Sequence, residues 1–237
     1  MKSDILRRLA DAGDHESLAL VTALASGRQW LLTADSSGRL LTGSAAIDDL
    51  PGPLVEAVQS SLTNDRPALE ECDGEKYFLR PFVPPVRVIL VGAVHVTQSL
   101  APMTSLAGFS VVVVDPRESW LTEFRLPDVK RMRAWPDEAF AELAPDHRTA
   151  IVTLTHDPKV DDPALAAALR SPAFYVGALG SRRTHAKRLD RLRTTGFGDE
   201  ELERIHSPVG LDLGARTPSE IAVAVLAELL GELRRND

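Results

Sequence analysis

The sequence has a single cysteine, no long apolar run and no excess of positive charge. The lone cysteine, Cys72, excludes an internal disulfide and a thiolate metal cage within one chain, and we expect a reducing, cytoplasmic compartment. No apolar segment reaches the roughly 18 residues that a membrane helix needs. Residues 1–12 lack the apolar core of a signal peptide. We therefore expect a cytoplasmic protein without a membrane span.

Acidic residues outnumber basic ones. The 237 residues include 27 Lys and Arg against 34 Asp and Glu, which gives a formal net charge of -7. This balance argues against a surface built as a whole to bind nucleic acid or an anionic membrane, so any anion site must be local. A hydrophobic content of 44% and a charged content of 26% are typical of a globular protein of one or two domains.

Clustered prolines at Pro81, Pro84 and Pro85 separate two sequence patterns. We expect residues 81–85 to be a connector between a small α+β domain, residues 1–80, and a larger domain, residues 86–237. In the first domain the sequence predicts helices at 4–12 and 54–62, a strand at 18–24, a hairpin pairing 30–33 with 40–42 through the turn 35–38, and a second hairpin through Asp73-Gly74 into 76–80.

Residues 86–237 alternate short apolar runs with helical segments. Continuous apolar runs are typical of parallel strands covered on both faces. The predicted strands are 86–91, 111–114, 150–154 and 174–176, with a weaker one at 129–132. The predicted helices are 95–107, 137–143, 163–169 (starting at Asp162-Pro163) and 184–192. The fold class is therefore α/β, a Rossmann-like doubly wound parallel sheet beside the smaller α+β domain.

A final helix is predicted after Thr217. Thr217-Pro218-Ser219-Glu220 supplies an N-cap, a first-turn proline and a carboxylate that reaches back, which together form a capping box. Apolar residues then recur at four-residue spacing, and the face they form must dock on the domain: Ile221, Val225, Leu229 and Leu233.

Ligands of doubly wound sheets bind beyond the carboxyl ends of the strands, so the residues after each strand are site candidates. Gly92 and Ala93 follow the first strand, where Gly92 would give a tight turn. His95, at the helix start, could donate to an anion or serve only in capping or packing. A dinucleotide fingerprint needs glycines where the chain has Val94 and Thr97. Val94 would obstruct a pyrophosphate, so a structural turn or an altered ligand pose is favoured over a conventional NAD site.

Two further strand ends carry polar candidates. Asp115 follows the second strand, where an acidic residue commonly receives ribose hydroxyls, and Arg117 could meet an extra phosphate. A turn in which Asp115 pairs with Arg117 is the alternative. Thr155, His156 and Asp157 follow the central strand, where the last two could act as general acid or base or could orient a ligand. Alternatively, Asp157 begins a turn.

The densest candidate is the glycine-bounded turn from Gly177 to Gly180 and the basic helix after it. The segment from Ser181 to Arg193 holds six basic residues and one acidic residue, and a helix N-terminus with Arg182 and Arg183 offers N–H groups and guanidinium forks to an anion. A solvated helix face paired with acids explains Lys187, Arg188, Arg191 and Arg193 without a ligand. The loop that contains Gly210 could close over the crevice. No metal site is predicted.

Together these motifs resemble the XdhC/CoxI family, the accessory proteins of xanthine dehydrogenase and related molybdenum hydroxylases. The resemblance covers about residues 86–230. Its most specific parts are the Gly180-Ser181-Arg182-Arg183 turn and the run from Pro208 to Val223. The chain departs from the family pattern at Val94 and in its N-terminal region, which lacks the family's Ser-Gly-Gly-Cys motif.

The resemblance implies a domain that binds the molybdenum cofactor, a pterin dithiolene ending in a phosphate or a nucleotide diphosphate. It implies that the protein protects this cofactor during sulfuration and hands it to a xanthine dehydrogenase-like molybdenum hydroxylase. A cofactor sulfurase would be a second partner, and homodimerisation is left open. On this interpretation the cofactor-binding residues are Gly92, Ala93, His95, Asp115, Arg117, Thr155, His156, Asp157, Gly177, Gly180, Ser181, Arg182, Arg183 and Gly210.

A cofactor-binding accessory protein is thus the leading hypothesis, and whether the chain catalyses a reaction is left open, with His156 and Asp157 as the catalytic candidates. The alternative is an NAD(P)-dependent oxidoreductase that uses the same crevice. Val94 weighs against it, and so does the lack of a legible Ser/Tyr/Lys relay in a chain with two tyrosines. A scaffold that binds only a partner protein is a third hypothesis.

Overall fold

The computed structural model describes residues 3–13, 16–35, 39–41 and 49–235. The chain divides into two compact units, Met1–Pro84 and Pro85–Asp237. None of the helices in the described ranges is both long enough and apolar enough to cross a bilayer.

The first unit contains a four-stranded antiparallel sheet in the order β2-β1-β4-β3. Along β4, Tyr77 and Leu79 are buried while Lys76 and Arg80 are exposed, because one face of the sheet packs in a core with Leu54 and its helix. The elements are α1 Ser3–Ala10, β1 Ser17–Ala23, β2 Gln29–Ala34, α2 Gly52–Asn64, β3 Ala68–Cys72 and β4 Glu75–Phe82.

The strand pairing of this unit confirms some predictions and corrects others. The Asp73-Gly74 hairpin is present. A hairpin between β1 and β2 was missed, and Gly27 turns it at a φ of +69°. The predicted pairing of 30–33 with 40–42 is reduced to one bridge between Ala34 and Leu40, and residues 36–38 of its turn lie outside the described residues. Strand β4 continues through Pro81, opposite Ala19.

The second unit is a parallel six-stranded sheet in the order β10-β9-β8-β5-β6-β7, which confirms the Rossmann-like prediction. The chain leaves β5 towards β6 and β7 and then returns to β8 on the other side of β5. The elements are β5 Arg87–Val91, α3 His95–Leu106, β6 Ser110–Val114, a 3-10 turn Glu118–Trp120, β7 Lys130–Met132, α4 Pro136–Leu143, β8 Thr149–Thr153, α5 Pro158–Arg170, β9 Tyr175–Ala178, α6 Arg182–Thr194, α7 Asp199–Leu202, β10 Ile205–His206 and α8 Pro218–Arg235.

Both faces of the parallel sheet are covered. Ile89 and Val91 of β5 pack in one apolar cluster, and Val88 and Leu90 pack in the other. Helix α8 buries Val225 in the second cluster, as its apolar spacing predicts. Its capping box is also confirmed, with Thr217 Oγ1 accepting from the Glu220 N–H at 3.2 Å and Glu220 accepting from the Thr217 N–H at 2.9 Å.

The predicted start of the fifth helix at Asp162-Pro163 is wrong. Helix α5 begins at Pro158, and the Asp157 carboxylate caps it by accepting from the Lys159 N–H at 2.9 Å. Pro163 lies inside the helix, where it removes one backbone donor. Asp157-Pro158 supplies both a cap and a first-turn proline, so it is the stronger start.

Candidate functional site

The carboxyl ends of β5, β6, β8 and β9 carry the four predicted junctions. The centre of this edge lies between β5 and β8, where the chain reverses its direction across the sheet, and such a reversal opens a ligand crevice. Two contacts tie neighbouring junctions together. Gly92 abuts Thr155, and the Ala93 N–H donates to Asp115 at 2.8 Å.

Gly92 makes the turn from β5 into α3 and approaches β8 closely. Its φ is +106°, and a Cβ on it would collide with the methyl group of Thr155. The Thr97 hydroxyl donates to the Gly92 carbonyl. Thr97 stands where the dinucleotide fingerprint has its third glycine, and here it closes the turn with an internal hydrogen bond. His95, the first residue of α3, is exposed.

Asp115 and Arg117 form an ion pair in which both side chains are satisfied. Arg117 donates to the fully buried Asp115 carboxylate through Nε at 2.9 Å and Nη2 at 2.7 Å. Burial alone would raise the pKa of Asp115, but hydrogen bonds from Arg117 and the Ala93 N–H lower it overall. The structure thus shows the paired turn that was the alternative to an open ribose site.

Arg125 was missed, because it lies in an irregular segment without a motif. Its Nη2 donates to the Ala93 carbonyl at 3.1 Å. The guanidinium groups of Arg117 and Arg125 lie 4.3 Å and 5.0 Å from the ring centroid of Trp120. These cations therefore stabilise the loop beside the crevice through ring contacts as well as hydrogen bonds.

Asp161 organises the junction after β8. Its buried carboxylate accepts from the Thr155 hydroxyl at 2.6 Å and from the His156 N–H at 3.0 Å. His156 has a φ of +64° and an exposed side chain, and this left-handed conformation is uncommon outside glycine. Asp157 holds the N-cap of α5, so Thr155, His156 and Asp157 lie together as predicted but are organised by a carboxylate that was not predicted.

Arg188 is buried, which corrects its assignment to a solvated helix face. It is 1% exposed, and its Nη2 donates to the Leu179 carbonyl at 3.0 Å and lies 3.6 Å from Asp161. Its Nε has no hydrogen-bond partner among the described residues. Burial raises the pKa of Asp161 and lowers that of Arg188. The four-residue spacing from Arg188 to Leu192 was the sequence signal for this inward face.

The remaining basic residues of α6 fall into two groups. Arg191 pairs with Asp162 through Nη2 at 2.9 Å and Arg193 pairs with Asp199 at 3.1 Å, as a solvated face predicts. The side chains of Arg182, Arg183 and Lys187 are exposed and make no hydrogen bond or ion pair with any other described residue.

Ser181 caps α6 by accepting from the Thr184 N–H at 3.2 Å. The cap satisfies the Thr184 N–H, whereas the N–H groups of Arg182 and Arg183 have no acceptor one turn earlier in the helix. The N-terminus of α6, which the sequence predicts to bind an anion, therefore presents both backbone N–H donors and side-chain positive charge that no described residue neutralises.

A cavity of about 240 Å³ lies between α5 and α6. It brings His156 from the β8 junction together with Arg183 from the β9 junction, so two of the predicted site residues share one wall. Asp115, Arg117 and the Gly92 turn are not part of it. The residues that line it, which we call the α5–α6 groove, are His156, Pro158, Asp161, Arg183, Thr184, Lys187, Arg188 and Arg191.

The other predicted glycines are in tightly packed surroundings. A Cβ on Gly177 would lie 2.6 Å from Val209, and one on Gly210 would lie 2.9 Å from the backbone nitrogen of Val225. Gly180 has a φ of +147° and lies against Thr184. Close packing accounts for all three glycines without a ligand.

A partly buried carboxylate next to the Gly210 loop was also missed. Glu228 of α8 accepts from the Tyr175 hydroxyl and from the Gly210 N–H at 2.8 Å, and it lies 3.7 Å from His206. Burial opposes its charge, but these contacts lower its pKa below the ordinary value, while burial and Glu228 raise the pKa of Tyr175. The spacing of three residues from Val225 to Glu228 was the available signal.

No group of three or more His, Cys, Asp or Glu side chains in the described part of the chain could hold a metal ion. The described residues can recognise an anion through the cationic side chains and backbone N–H groups at the start of α6. Polar groups at the end of β8 lie next to them.

A family model matches most of the larger unit. Residues 88–229 fit the family model described as the XdhC Rossmann domain. The Escherichia coli K12 protein YqeB, described as uncharacterized, is 37% identical over 148 residues, which are 61% of this chain and 27% of YqeB.

Two further relatives carry functional names. The E. coli K12 molybdenum cofactor insertion chaperone PaoD is 33% identical over 148 residues, or 62% of this chain and 40% of PaoD. A probable xanthine dehydrogenase subunit of Bacillus subtilis 168 is 33% identical over 159 residues, or 67% of this chain and 46% of that protein. The chain thus spans less than half the length of these relatives.

A crystal structure of a xanthine dehydrogenase from Bacillus halodurans has a TM-score of 0.71 and 21% identity, covering 99% of this chain and 65% of that one. At this identity the likeness shows a shared fold.

Proposed function

The chain belongs to the XdhC family through its Rossmann domain, and from this membership we propose that it binds the molybdenum cofactor and assists its insertion into a xanthine dehydrogenase-type enzyme. The names of two relatives support the proposal, since one is a cofactor insertion chaperone and the other a probable xanthine dehydrogenase component. In this role the cofactor is a cargo that the protein holds and releases.

The observation that carries the proposal is the uncompensated positive charge at the start of α6. Arg182, Arg183 and Lys187 are exposed, and no described residue neutralises them. The cofactor ends in a phosphate or a nucleotide diphosphate. Cationic side chains beside a helix N-terminus suit such a group, because N–H donors and guanidinium forks act on the same oxygens.

The polar groups after β8 suit the pterin end. In this proposal Thr155, His156 and Asp157 lie beside the pterin edge, and the Gly92-Ala93 turn and His95 form the opposite wall of the crevice. Asp115 is already bound by Arg117. A ribose could reach that carboxylate only if Arg117 moved away, which disfavours the NAD(P)-dependent alternative.

The proposed client is a molybdenum hydroxylase in the cytoplasm. A cofactor sulfurase and a second copy of the chain stay predictions as partners. Analytical ultracentrifugation of the protein alone and with each added partner tests them.

The test is to purify the protein from a host that makes molybdenum cofactor, oxidise it, and measure pterin fluorescence and molybdenum content. We expect both in the wild type. The Arg182→Ala/Arg183→Ala variant should bind the phosphorylated ligand more weakly, by about 1.5–3 kcal/mol per charge-assisted contact. If no pterin co-purifies or binds when supplied, while NAD or NADP binds at micromolar concentration, the proposal fails.

A further inference from the structure

We infer that the α5–α6 groove is a phosphate subsite that takes the phosphomonoester end of the bound ligand. This inference rests on the proposed function for the identity of the whole ligand, but the subsite itself follows from the chain's own residues. In this subsite the phosphate lies beside α6. It is away from the Gly92 turn, whose counterpart in dinucleotide-binding folds holds the pyrophosphate.

The charge of the groove is the first argument. Four cationic side chains and one carboxylate line it, namely Arg183, Lys187, Arg188, Arg191 and Asp161. Asp161 is 3.6 Å from Arg188, and Arg191 is paired with Asp162 just outside the lining. Arg183 and Lys187 make no ion pair with a described residue, so two positive charges face the groove without compensation. They lie four residues apart on α6 and therefore share one face of the helix.

Arg188 supplies an independent argument. It is 1% exposed and forms part of the groove wall, yet its Nε has no hydrogen-bond partner among the described residues. A buried donor without an acceptor is costly, and because this nitrogen is itself closed to solvent, a phosphate oxygen in the groove would satisfy it only after a small rotation of the guanidinium. A phosphate would also offset the charge of a guanidinium that lies 3.6 Å from the Asp161 carboxylate.

The volume of the groove limits what can enter. About 240 Å³ corresponds to roughly eight waters at about 30 Å³ each. Sites for drug-sized ligands span about 300–1,000 Å³. The groove therefore has room for a phosphoryl group and several waters, and its open side leaves space for the rest of a ligand.

Asp161 fixes the part of the groove lining that His156 forms. By accepting from the Thr155 hydroxyl and the His156 N–H, it holds His156 at its φ of +64° and places this residue in the groove lining. A residue held in this conformation at a cavity wall is typical of a binding site. Asp161 is thus a positioning residue, and His156 provides a ring N–H or N acceptor at the groove mouth.

The test uses the full chain and inorganic phosphate as the probe. Calorimetric titration and amide chemical shifts of α6 should reveal binding by the wild type. Lys187→Ala should raise the dissociation constant about tenfold, because it removes one charge-assisted contact. Arg193→Ala is the matched control on the same helix, since Arg193 pairs with Asp190 and Asp199, and it should change the constant by less than about twofold.

The outcomes separate this inference from the proposed function. Phosphate binding that is weakened about tenfold in Lys187→Ala and kept in Arg193→Ala supports the subsite, even if no pterin is retained. Binding that is absent, or equal in all three proteins, overturns the subsite, even if pterin is retained by another surface.

Discussion

At the residue scale, Gly92 is a position where the backbone and its neighbour both require glycine. Its φ of +106° disfavours any L side chain, and Thr155 occupies the space that a Cβ would need. The contact joins the ends of β5 and β8, so the geometry of the crevice depends on it.

We predict that Gly92→Ala destabilises the protein more than Gly108→Ala does. Gly108 has a φ of +90°, but the space that a Cβ would occupy is open. Its substitution should therefore lower the free energy of unfolding by about 1–2 kcal/mol, for the left-handed backbone alone. Gly92→Ala should add about 1–3 kcal/mol for the clash. Urea unfolding of both variants measures the difference, and equal losses would show that the Thr155 contact relaxes freely.

Glu228 is a residue whose charge should make stability depend on pH. Its pKa is lowered in the folded protein from an ordinary value of 4.5. Its contribution is therefore fully present above that value and is lost as the pH falls through the lower folded pKa. Glu228→Gln should cost about 1–3 kcal/mol at neutral pH, since it replaces charge-assisted hydrogen bonds from Tyr175 and Gly210 with neutral ones.

Unfolding by urea across the acidic range measures this effect. The gap in unfolding free energy between wild type and Glu228→Gln should shrink as the pH falls below about 4. Glu200→Gln, at an exposed position on α7, is the control and should show no such gap. A Glu228→Gln gap that is constant with pH would show that the carboxylate is not held ionised.

Some single-residue features of the site could be predicted from the sequence, and others could not. The Ser181 cap and the exposed charges of Arg182 and Arg183 could be predicted, because helix ends have local rules. Arg188 could not be distinguished from its exposed neighbours by charge alone. Its burial depends on Asp161, which lies 27 positions earlier in the numbering, and on the packing of two helices.

At the element scale, the start of α5 determines how Asp157 is interpreted. Its carboxylate accepts from the Lys159 N–H at 2.9 Å, so it is first a helix cap, whatever else it does. A cap acts through local hydrogen bonding and needs no negative charge.

We predict that Asp157→Ala lowers the free energy of unfolding by about 1 kcal/mol. Asp157→Ser should keep most of this stability, because a serine hydroxyl can accept a hydrogen bond from the same Lys159 N–H. Thermal unfolding measures both variants. Loss of pterin binding in the stable Asp157→Ser protein would then report a ligand contact. Equal destabilisation by both substitutions would contradict the capping role.

Elements with strong local signals were predictable, and elements defined by tertiary pairing were not. The runs at β5, β6 and β8 and the capping box of α8 were evident, because their signals lie within a few residues. Strand β10 spans only Ile205–His206 and exists through its pairing with β9. The hairpin between β1 and β2 was missed because its turn lacks the Asn-Gly or Asp-Gly pair that marks such turns.

At the scale of the whole molecule, the larger unit contains complete apolar clusters on both faces of its sheet. Every residue of the proposed site also belongs to it. We predict that residues 85–237 fold alone and bind inorganic phosphate as the full chain does. Circular dichroism, urea unfolding and calorimetry check this, and a fragment without a cooperative transition would show that the unit depends on Met1–Pro84.

The fold class was predictable for the whole molecule because alternation of strands and helices determines it. The site was predictable only as a set of strand ends. Which of them meet was decided by packing, since the groove unites His156 with Arg183 while Asp115 is closed off by Arg117.

The most direct test of the account is the affinity of the purified chain for molybdenum cofactor, measured without oxygen and quantified by pterin fluorescence after oxidation. We predict binding by the wild type, an unchanged affinity in Arg193→Ala, and an affinity lower by roughly a hundredfold in Arg183→Ala/Lys187→Ala, about tenfold per contact. Equal affinity in all three proteins, or no binding by the wild type, would contradict it.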